Sequence, residues 1–185
     1  MSETEEKKNS RRVVWYALQT FYQKEQQVAD YLKEQGMSPF IPMLYREQVF
    51  PDGKKHRELA PAVHNLLFLR KESSEKALRQ LLAGCLYPVR ILCYPQTDRY
   101  YEIPDVQMTE FRAICDPGYT GTIYSTREFA EARPGQPVRV IHGAFKGLTG
   151  KLVRYKNRSF VVITLATLGV FVHIPKWYCE KIETL

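Results

Sequence analysis

The sequence predicts an α+β protein of two domains, an N-terminal α/β sandwich with an antiparallel sheet and a small C-terminal β-barrel. Three observations predict this. Segments with strand and helix periodicity alternate as far as about residue 115. A stretch rich in Gly, Pro, Ser and Thr follows, and five short strand candidates occupy about the last 50 residues. With 185 residues, 44% of them hydrophobic, the chain can bury the core of one medium domain or of two small ones.

Helices are predicted where apolar residues recur on one face. KEQQVADYLKEQG places Val28, Tyr31 and Leu32 together before Gly36, and SSEKALRQLLAG has a serine cap and a terminal glycine. Strands are predicted for short apolar runs between turn residues. In chain order we expect a strand at 13–21, a helix at 24–36 and a hairpin arm at 39–48 with a turn at 51–57. A strand at 64–70, a helix at 73–84 and a strand at 87–94 follow, and a last helix begins at Pro104.

The C-terminal third begins with a predicted linker. Residues 117–136 lack sustained periodicity, and within them Tyr124 and Phe129 are candidates for docking on a domain. The segments PVRVIH, GKLVRYK, SFVVITLA, GVFVHIP and KWYCEKI then read as strands of a β-barrel. The predicted domains are therefore 11–116 and 137–185, joined by a linker at 117–136.

Three glycines interrupt the strand-like stretch VRVIHGAFKGLTGKLVRY. Glycine weakens the interior of a strand but tolerates positive φ. Gly143, Gly147 and Gly150 therefore predict the loop between two strands of a hairpin.

Positive charge is concentrated near the C-terminus. The net charge of +7 divides into +1 for residues 1–12, zero for 13–116 and +6 for 117–185. The last region includes a run of basic residues with no acid among them. This run could contact phosphate or an acidic protein surface, and the alternative is that it is simply solvated. The candidate basic patch is Arg139, Lys146, Lys151 and Arg154.

Composition disfavours several classes of protein. No apolar run approaches the roughly 20 residues that span a bilayer, and the first twelve residues hold no signal-peptide core, so we expect a cytoplasmic protein without a membrane partner. The cysteines are widely separated and form no CxxC pair, which disfavours a zinc or redox site and predicts reduced thiols. They are Cys85, Cys93, Cys115 and Cys179.

An enzyme is not predicted. The histidines His56, His64, His142 and His173 are scattered and belong to no HExxH or nucleophile motif. GAFKGLTGK resembles a phosphate-binding loop only loosely, because it lacks the Lys-Ser/Thr pair and precedes a strand instead of a helix. We therefore expect no catalytic residue, cofactor or metal.

Four segments in this order resemble a NusG-type transcription factor, in which an NGN domain precedes a KOW domain with an SH3-like barrel. They are WYALQTF, PAVHNLLFLR, the helix-starting IPD and GQPVRVIHGAFKGLTGKLV, and the resemblance covers residues 13–183. In the KOW pattern the three glycines of the first barrel loop allow a tight turn. The ending LATLGVFVHIP resembles specialised, UpxY-like paralogues more than the housekeeping factor.

The resemblance implies a transcription elongation or antitermination factor. Such a protein would bind RNA polymerase and suppress pausing or termination at specific operons, and we expect a monomer. The alternative is a KOW-type RNA-binding or ribosome-associated protein. β-Branched residues in VRVI, FVVIT and VFVHI predict that the KOW domain is permanently β and does not fold into helices that mask the NGN domain.

The resemblance also implies a polymerase-binding surface. In the family an apolar depression of the NGN domain docks on the clamp helices of the polymerase. The matching positions include VHNL, which replaces an aromatic-Pro-Gly-aromatic sequence of the family. The alternative to a polymerase contact is that these residues simply pack in the core. They are Tyr16, Phe21, Val63, His64, Asn65 and Leu66.

Two further surfaces follow from the resemblance. Nucleic acid of the elongation complex could contact Arg11, Arg12, Lys24, Lys54, Lys55, His56 and Arg57, unless the charged hairpin tip is merely solvated. The KOW domain could bind a ribosomal protein or a termination factor, although LATLG replaces the aromatic-glycine feature of relatives. The candidates for that contact are Phe145, Leu148, Leu165 and Leu168.

Overall fold

The computed structural model describes residues 13–51 and 53–183. Contacts between residues divide the chain into two compact units. The first contains the chain up to residue 41 together with residues 64–109, and the second contains residues 42–63 together with the chain from residue 110 onward. Strands pair antiparallel in both units, and helices accompany them, so the predicted α+β class is confirmed.

The sheet of the first unit is built around its first strand. The strand order is β2-β5-β1-β6, and β7 also pairs with β1. In chain order the elements are β1 (Val14–Thr20), α1 (Glu25–Glu34), β2 (Pro39–Phe40), β5 (Leu66–Arg70), α2 (Glu75–Ala83), β6 (Val89–Ile91) and β7 (Glu102–Pro104), and α3 (Asp105–Ile114) begins in this unit.

The core of the first unit lies between this sheet and the helices α1 and α2. Alternate residues of β1, Tyr16 and Leu18, pack against Val28 and Leu32 of α1 and against leucines of α2. Ala17, on the opposite face of β1, is also buried. Burial on both faces explains why β1 is a continuous apolar run in the sequence.

The second unit contains a hairpin and a six-stranded sheet. The hairpin is formed by β3 (Met43–Val49) and β4 (Lys55–Pro61). The sheet has the strand order β13-β9-β10-β11-β12-β8. Its elements are β8 (Thr122–Thr126), α4 (Arg127–Glu131), β9 (Gln136–Val140), β10 (Thr149–Tyr155), β11 (Arg158–Leu165), β12 (Leu168–His173), a 3-10 turn (Lys176–Tyr178) and β13 (Cys179–Lys181).

The segment predicted as a linker is ordered and differs from the prediction. Within 117–136, β8 extends the sheet beyond β12 and α4 packs on β11 and β12. Ala130 of α4 is buried with Val153, Phe160 and Phe171. The sequence of β8, TIYST, hid the strand, because its two apolar side chains are adjacent and show no alternation with polar ones. The proposed domain boundaries at 116 and 137 remain a prediction.

The predicted loop between β9 and β10 contains Gly143 and Gly147, whereas Gly150, also predicted there, lies within β10 and pairs with Val138. Gly143 and Gly147 have φ values of +83° and +99°. At Gly150 the close approach of another strand is decisive, because a Cβ atom there would lie 2.6 Å from the carbonyl oxygen of Val162.

Candidate interaction surfaces

A short loop, residues 21–24, joins β1 to α1 through an uncommon backbone conformation. Tyr22 and Gln23 both have left-handed φ angles, +57° and +55°. A non-glycine residue in this region costs of order 1–3 kcal/mol and persists only when its surroundings hold it. The surroundings here supply two hydrogen bonds to Asn65: its side-chain Oδ1 accepts from Gln23 N at 2.9 Å, and its carbonyl oxygen accepts from Thr20 N at 3.1 Å.

A buried carboxylate anchors Asn65 in turn. Glu25, in the first turn of α1, is 1% exposed. Its Oε1 accepts a hydrogen bond from Asn65 N at 3.0 Å and lies 3.2 Å from Nδ1 of His64. A buried carboxylate needs such donors, because without them its desolvation would be costly. The chain at 64–65 and the loop at 21–24 are therefore fixed as one structure.

This structure presents Tyr22 to solvent. Tyr22 is 81% exposed, His64 is exposed and Phe21 is half-buried. The guanidinium of Arg90 lies 5.9 Å from the Phe21 ring centroid and donates two hydrogen bonds to Gln19. We define Phe21, Tyr22, His64 and Asn65 as the Tyr22 surface.

Two residues predicted to bind a polymerase are instead core residues. Tyr16 is fully buried at the centre of the sheet, and Leu66 is buried opposite Gln19. The hydroxyl of Tyr16 donates to Glu75 at 3.2 Å, and burial raises its pKa. Side chains that already pack in a core cannot contact a partner, so the assignment of Tyr16 and Leu66 to a contact surface was wrong. Val63, the remaining predicted position, is half-buried.

A cluster of charges covers the ring of Tyr16. The ammonium of Lys71 lies 5.2 Å from the ring centroid and forms a 2.8 Å ion pair with Glu102. The hydrogen bond to Glu102 is the main cause that raises the pKa of Lys71 well above its ordinary value, and the hydrogen bond to Tyr16 raises it further. The cluster stabilises the outer end of a buried tyrosine, which explains how a hydroxyl is accommodated at this point of the core.

The predicted nucleic-acid residues do not form one group. Arg11 and Arg12 lie outside the described residues, and Lys24 belongs to the first unit, where its ammonium lies 5.8 Å from the ring of Tyr87. The hairpin residues are exposed and belong to the second unit, where Lys55 pairs with Glu47 and Arg57 stacks on Tyr45 at 4.3 Å. His56 contacts Phe50 edge to face, and Lys54 also lies on this exposed end of the hairpin.

Three of the four residues predicted to bind a partner of the KOW domain are buried. Leu148, Leu165 and Leu168 belong to the core of the second unit, so they do not form an exposed rim as predicted. Phe145 is half-buried and contacts Tyr119 edge to face, with ring centroids 4.9 Å apart.

The helix α4 explains why the turn between β11 and β12 is covered. Arg127 donates from its backbone N–H to Thr167 O at 3.0 Å and from its guanidinium to Ala166 O at 3.1 Å. Ala166 is itself buried in a left-handed conformation, with φ +51°. The LATLG turn therefore packs inside its own unit.

The predicted basic patch divides by role. Arg139, Lys146 and Arg154 are exposed. Lys151, in contrast, donates from Nζ to the carbonyl oxygens of Ala130 and Glu131, at 3.1 and 3.0 Å. A cation that satisfies the last carbonyls of a helix has a structural role, so including Lys151 in a free basic patch was wrong.

The two most exposed aromatic residues in the described part of the chain, Tyr22 and Trp177, escaped the sequence analysis. Trp177 is 77% exposed on the 3-10 turn before β13. From the sequence, Trp177 is interpreted as one more apolar position of a strand candidate. In the structure, the 3-10 turn at Lys176–Tyr178 directs its side chain outward.

Neither a metal-binding cluster nor a membrane-spanning helix is found in the part of the chain that the structure describes. In residues 13–51 and 53–183 no group of three or more His, Cys, Asp or Glu could hold a metal ion. Within that same part of the chain, no helix has the length and apolar character needed to cross a membrane. The four cysteines are all free, and burial raises the pKa of the Cys115 thiol to about 12.

Comparisons with known proteins extend these observations. A family model described as NusG, transcription termination factor nusG, matches residues 13–112. A solved structure described as "Domain interaction in Thermotoga maritima NusG" is similar with a TM-score of 0.48 and 15% sequence identity, and the similarity covers 92% of this chain and 98% of that one. Comparison with curated proteins gives no match.

Proposed function

Because the chain belongs to the NusG family of transcription factors, we propose that it binds RNA polymerase and suppresses pausing or termination at specific operons. The family match covers more than half of the chain and includes every strand of the first unit, the helices α1 and α2, and all but the last two residues of α3. A protein of this kind acts by binding and not by catalysis, and it works in the cytoplasm.

The observation that carries the proposal is the exposed tyrosine on a constrained loop. Tyr22 is exposed on a loop whose left-handed backbone conformation costs free energy. A hydrogen bond from the loop to Asn65, and one from Asn65 to Glu25, stabilise this conformation. We propose that the Tyr22 surface, with Val63 beside it in the sequence, is the polymerase contact. Tyr16 and Leu66 support it from within the core.

Rigidity at this position favours tight binding. Association normally costs about 0.5–1.5 kcal/mol for each flexible side chain or loop residue that becomes ordered. The loop at 21–24 is already ordered by the two bonds to Asn65. An aromatic anchor with flanking polar groups is also the usual composition of an interface hot spot.

Other contacts of the proposed complex rest on charge. We propose that Lys54, Lys55, His56 and Arg57 reach nucleic acid held by the polymerase, since all four are exposed on one hairpin. A ribosomal protein or termination factor, if the second unit binds one, would contact the half-buried Phe145 and not the three buried leucines.

The proposal is tested with the full chain and core RNA polymerase from the same organism. We expect direct binding, together with shorter pauses or increased read-through of terminators in transcription from purified components. Absence of binding to core polymerase and to its elongation complex, by a chain that shows a cooperative melting transition, would contradict the proposal.

A further inference from the structure

Trp177 is held outward by a well-anchored turn. In the 3-10 turn, Tyr178 N donates to Pro175 O at 2.9 Å, and Ile141 N donates to Tyr178 O at 2.8 Å. The second bond ties the turn to the loop between β9 and β10. An indole ring left 77% exposed on so constrained a backbone buries little apolar area within its own chain.

The neighbouring loop is shaped to fit this turn. Gly143 has φ +83°, and a Cβ atom at this position would lie 2.9 Å from Cε2 of Tyr178. His142 contacts the same ring edge to face, with ring centroids 5.9 Å apart. The glycine thus allows the tyrosine to pack on the loop, and this packing fixes the position of Trp177 next to it in the chain.

The charge near this site is mostly positive, and the nearest acid along the chain is Glu180 of β13. Residues 132–179 contain eight Lys and Arg and no Asp or Glu. Lys146, in the loop, and Lys176, directly before Trp177, are exposed, and in the part of the chain that the structure describes neither forms an ion pair. Unpaired cations on the same turn as an exposed indole, and on the loop bonded to that turn, match a ligand with negative charges and flat apolar rings.

We propose that Trp177, Lys146 and Lys176 form a binding site for single-stranded nucleic acid. A base stacks on the indole ring, and the two ammonium groups contact flanking phosphates. A paired base in a duplex does not offer a free face, so the ligand is single-stranded. The site belongs to the second unit and is independent of the polymerase contact proposed above.

An acidic protein segment fits the site less well. It would satisfy the lysines, but acidic side chains carry no flat apolar ring that could stack on the exposed indole. Nucleic acid supplies both the negative charges and the ring.

The intrinsic fluorescence of the chain provides the test. The protein has two tryptophans; Trp15 is buried and Trp177 is exposed, so quenching by an added oligonucleotide reports on Trp177. Full-length protein is titrated with oligouridylate RNA and oligothymidylate DNA of roughly 12 nucleotides, a length within the usual site sizes. We expect quenching by at least one of them, and tighter binding of one shows whether RNA or DNA is preferred.

Variants separate stacking from charge. Trp177→Ala should weaken binding about 5- to 100-fold, and Trp177→Phe should recover part of the loss. Lys146→Gln and Lys176→Gln should each reduce the slope of log affinity against log salt by about 0.7, whereas Lys76→Gln, an exposed lysine of α2, should leave it unchanged. Unaltered binding by Trp177→Ala would overturn the proposal, and so would quenching by polyglutamate but by neither oligonucleotide, which would indicate an acidic protein partner.

Discussion

The backbone N–H of Asn65 donates a 3.0 Å hydrogen bond to the buried carboxylate of Glu25. Asn65 in turn accepts hydrogen bonds from Thr20 and Gln23, on either side of the exposed Tyr22. The carboxylate at the start of α1 is therefore linked through Asn65 to the conformation of the preceding loop. The shape of the Tyr22 surface depends on this chain of contacts.

Removal of the Glu25 carboxylate should destabilise the first unit. Glu25→Ala leaves the partly buried N–H of Asn65 without its acceptor, and we expect the free energy of unfolding to fall by about 1–3 kcal/mol. Glu25→Gln keeps one oxygen acceptor and should recover part of that loss. Urea unfolding of both variants measures the difference, and equal stability of Glu25→Ala and the parent would show that the carboxylate is not an anchor.

Tyr22→Asn should leave the fold intact. Asparagine tolerates the left-handed conformation better than most residues, and the tyrosine ring is exposed, so its loss removes little packing. We expect the free energy of unfolding to change by less than about 1 kcal/mol. A melting curve that loses its cooperative transition would mean that Tyr22 has a structural role, contrary to the account given above.

Gly169→Ala should destabilise the second unit. A Cβ atom at Gly169 would overlap with Cβ of Ala130 and would lie 2.7 Å from the carbonyl oxygen of Thr126, so α4 would have to move away from β12. Overpacking of this kind typically costs about 1–3 kcal/mol. Gly118→Ala is the matched control, because its nearest neighbour is the flexible side chain of Asp116 at 3.2 Å. Chemical unfolding that gives equal stability for the two variants would contradict the close packing of α4.

Stability should decline in alkaline solution through Cys115. Burial raises the pKa of its thiol to about 12 in the folded chain, against an ordinary value near 9. A folded pKa above the unfolded one gives a stabilising contribution that is complete below about pH 9 and is lost as the pH rises toward 12. The melting temperature of Cys115→Ala should therefore fall less steeply over this window than that of the parent. Parallel curves for the two proteins would show that the thiol is not protected by burial.

Much of the fold was predictable because its signals are local. The apolar runs that became β1 and β5, and the amphipathic segments that became α1 and α2, are determined by periodicity within the segments themselves. The serine expected to cap α2 is Ser74, whose hydroxyl accepts from Ala77 N at 3.2 Å. The strand β8 escaped prediction because it forms by pairing with a strand distant in sequence, β12.

The interaction surfaces were less predictable, for a related reason. Tyr16 and Tyr22 are both aromatic and only six positions apart, yet one is buried and the other is exposed because Asn65, remote in sequence, fixes the loop between β1 and α1. Lys151 read as one more free cation, but its Nζ lies against the C-terminal end of α4. Residue type identified candidates for binding, and only tertiary contacts decided which of them are available.

Affinity for core RNA polymerase, measured by titration of the full chain, tests the central claim most directly. We expect folded Tyr22→Asn to bind at least about tenfold more weakly than the parent, since an aromatic anchor typically contributes 2 kcal/mol or more. Val106→Ser is the matched control: it removes another exposed apolar side chain, at the far end of β1, about 20 Å away at 3.3 Å per strand residue. The control should bind like the parent. Unchanged affinity of Tyr22→Asn, or an equal loss in Val106→Ser, would contradict the assignment of the Tyr22 surface as the polymerase contact.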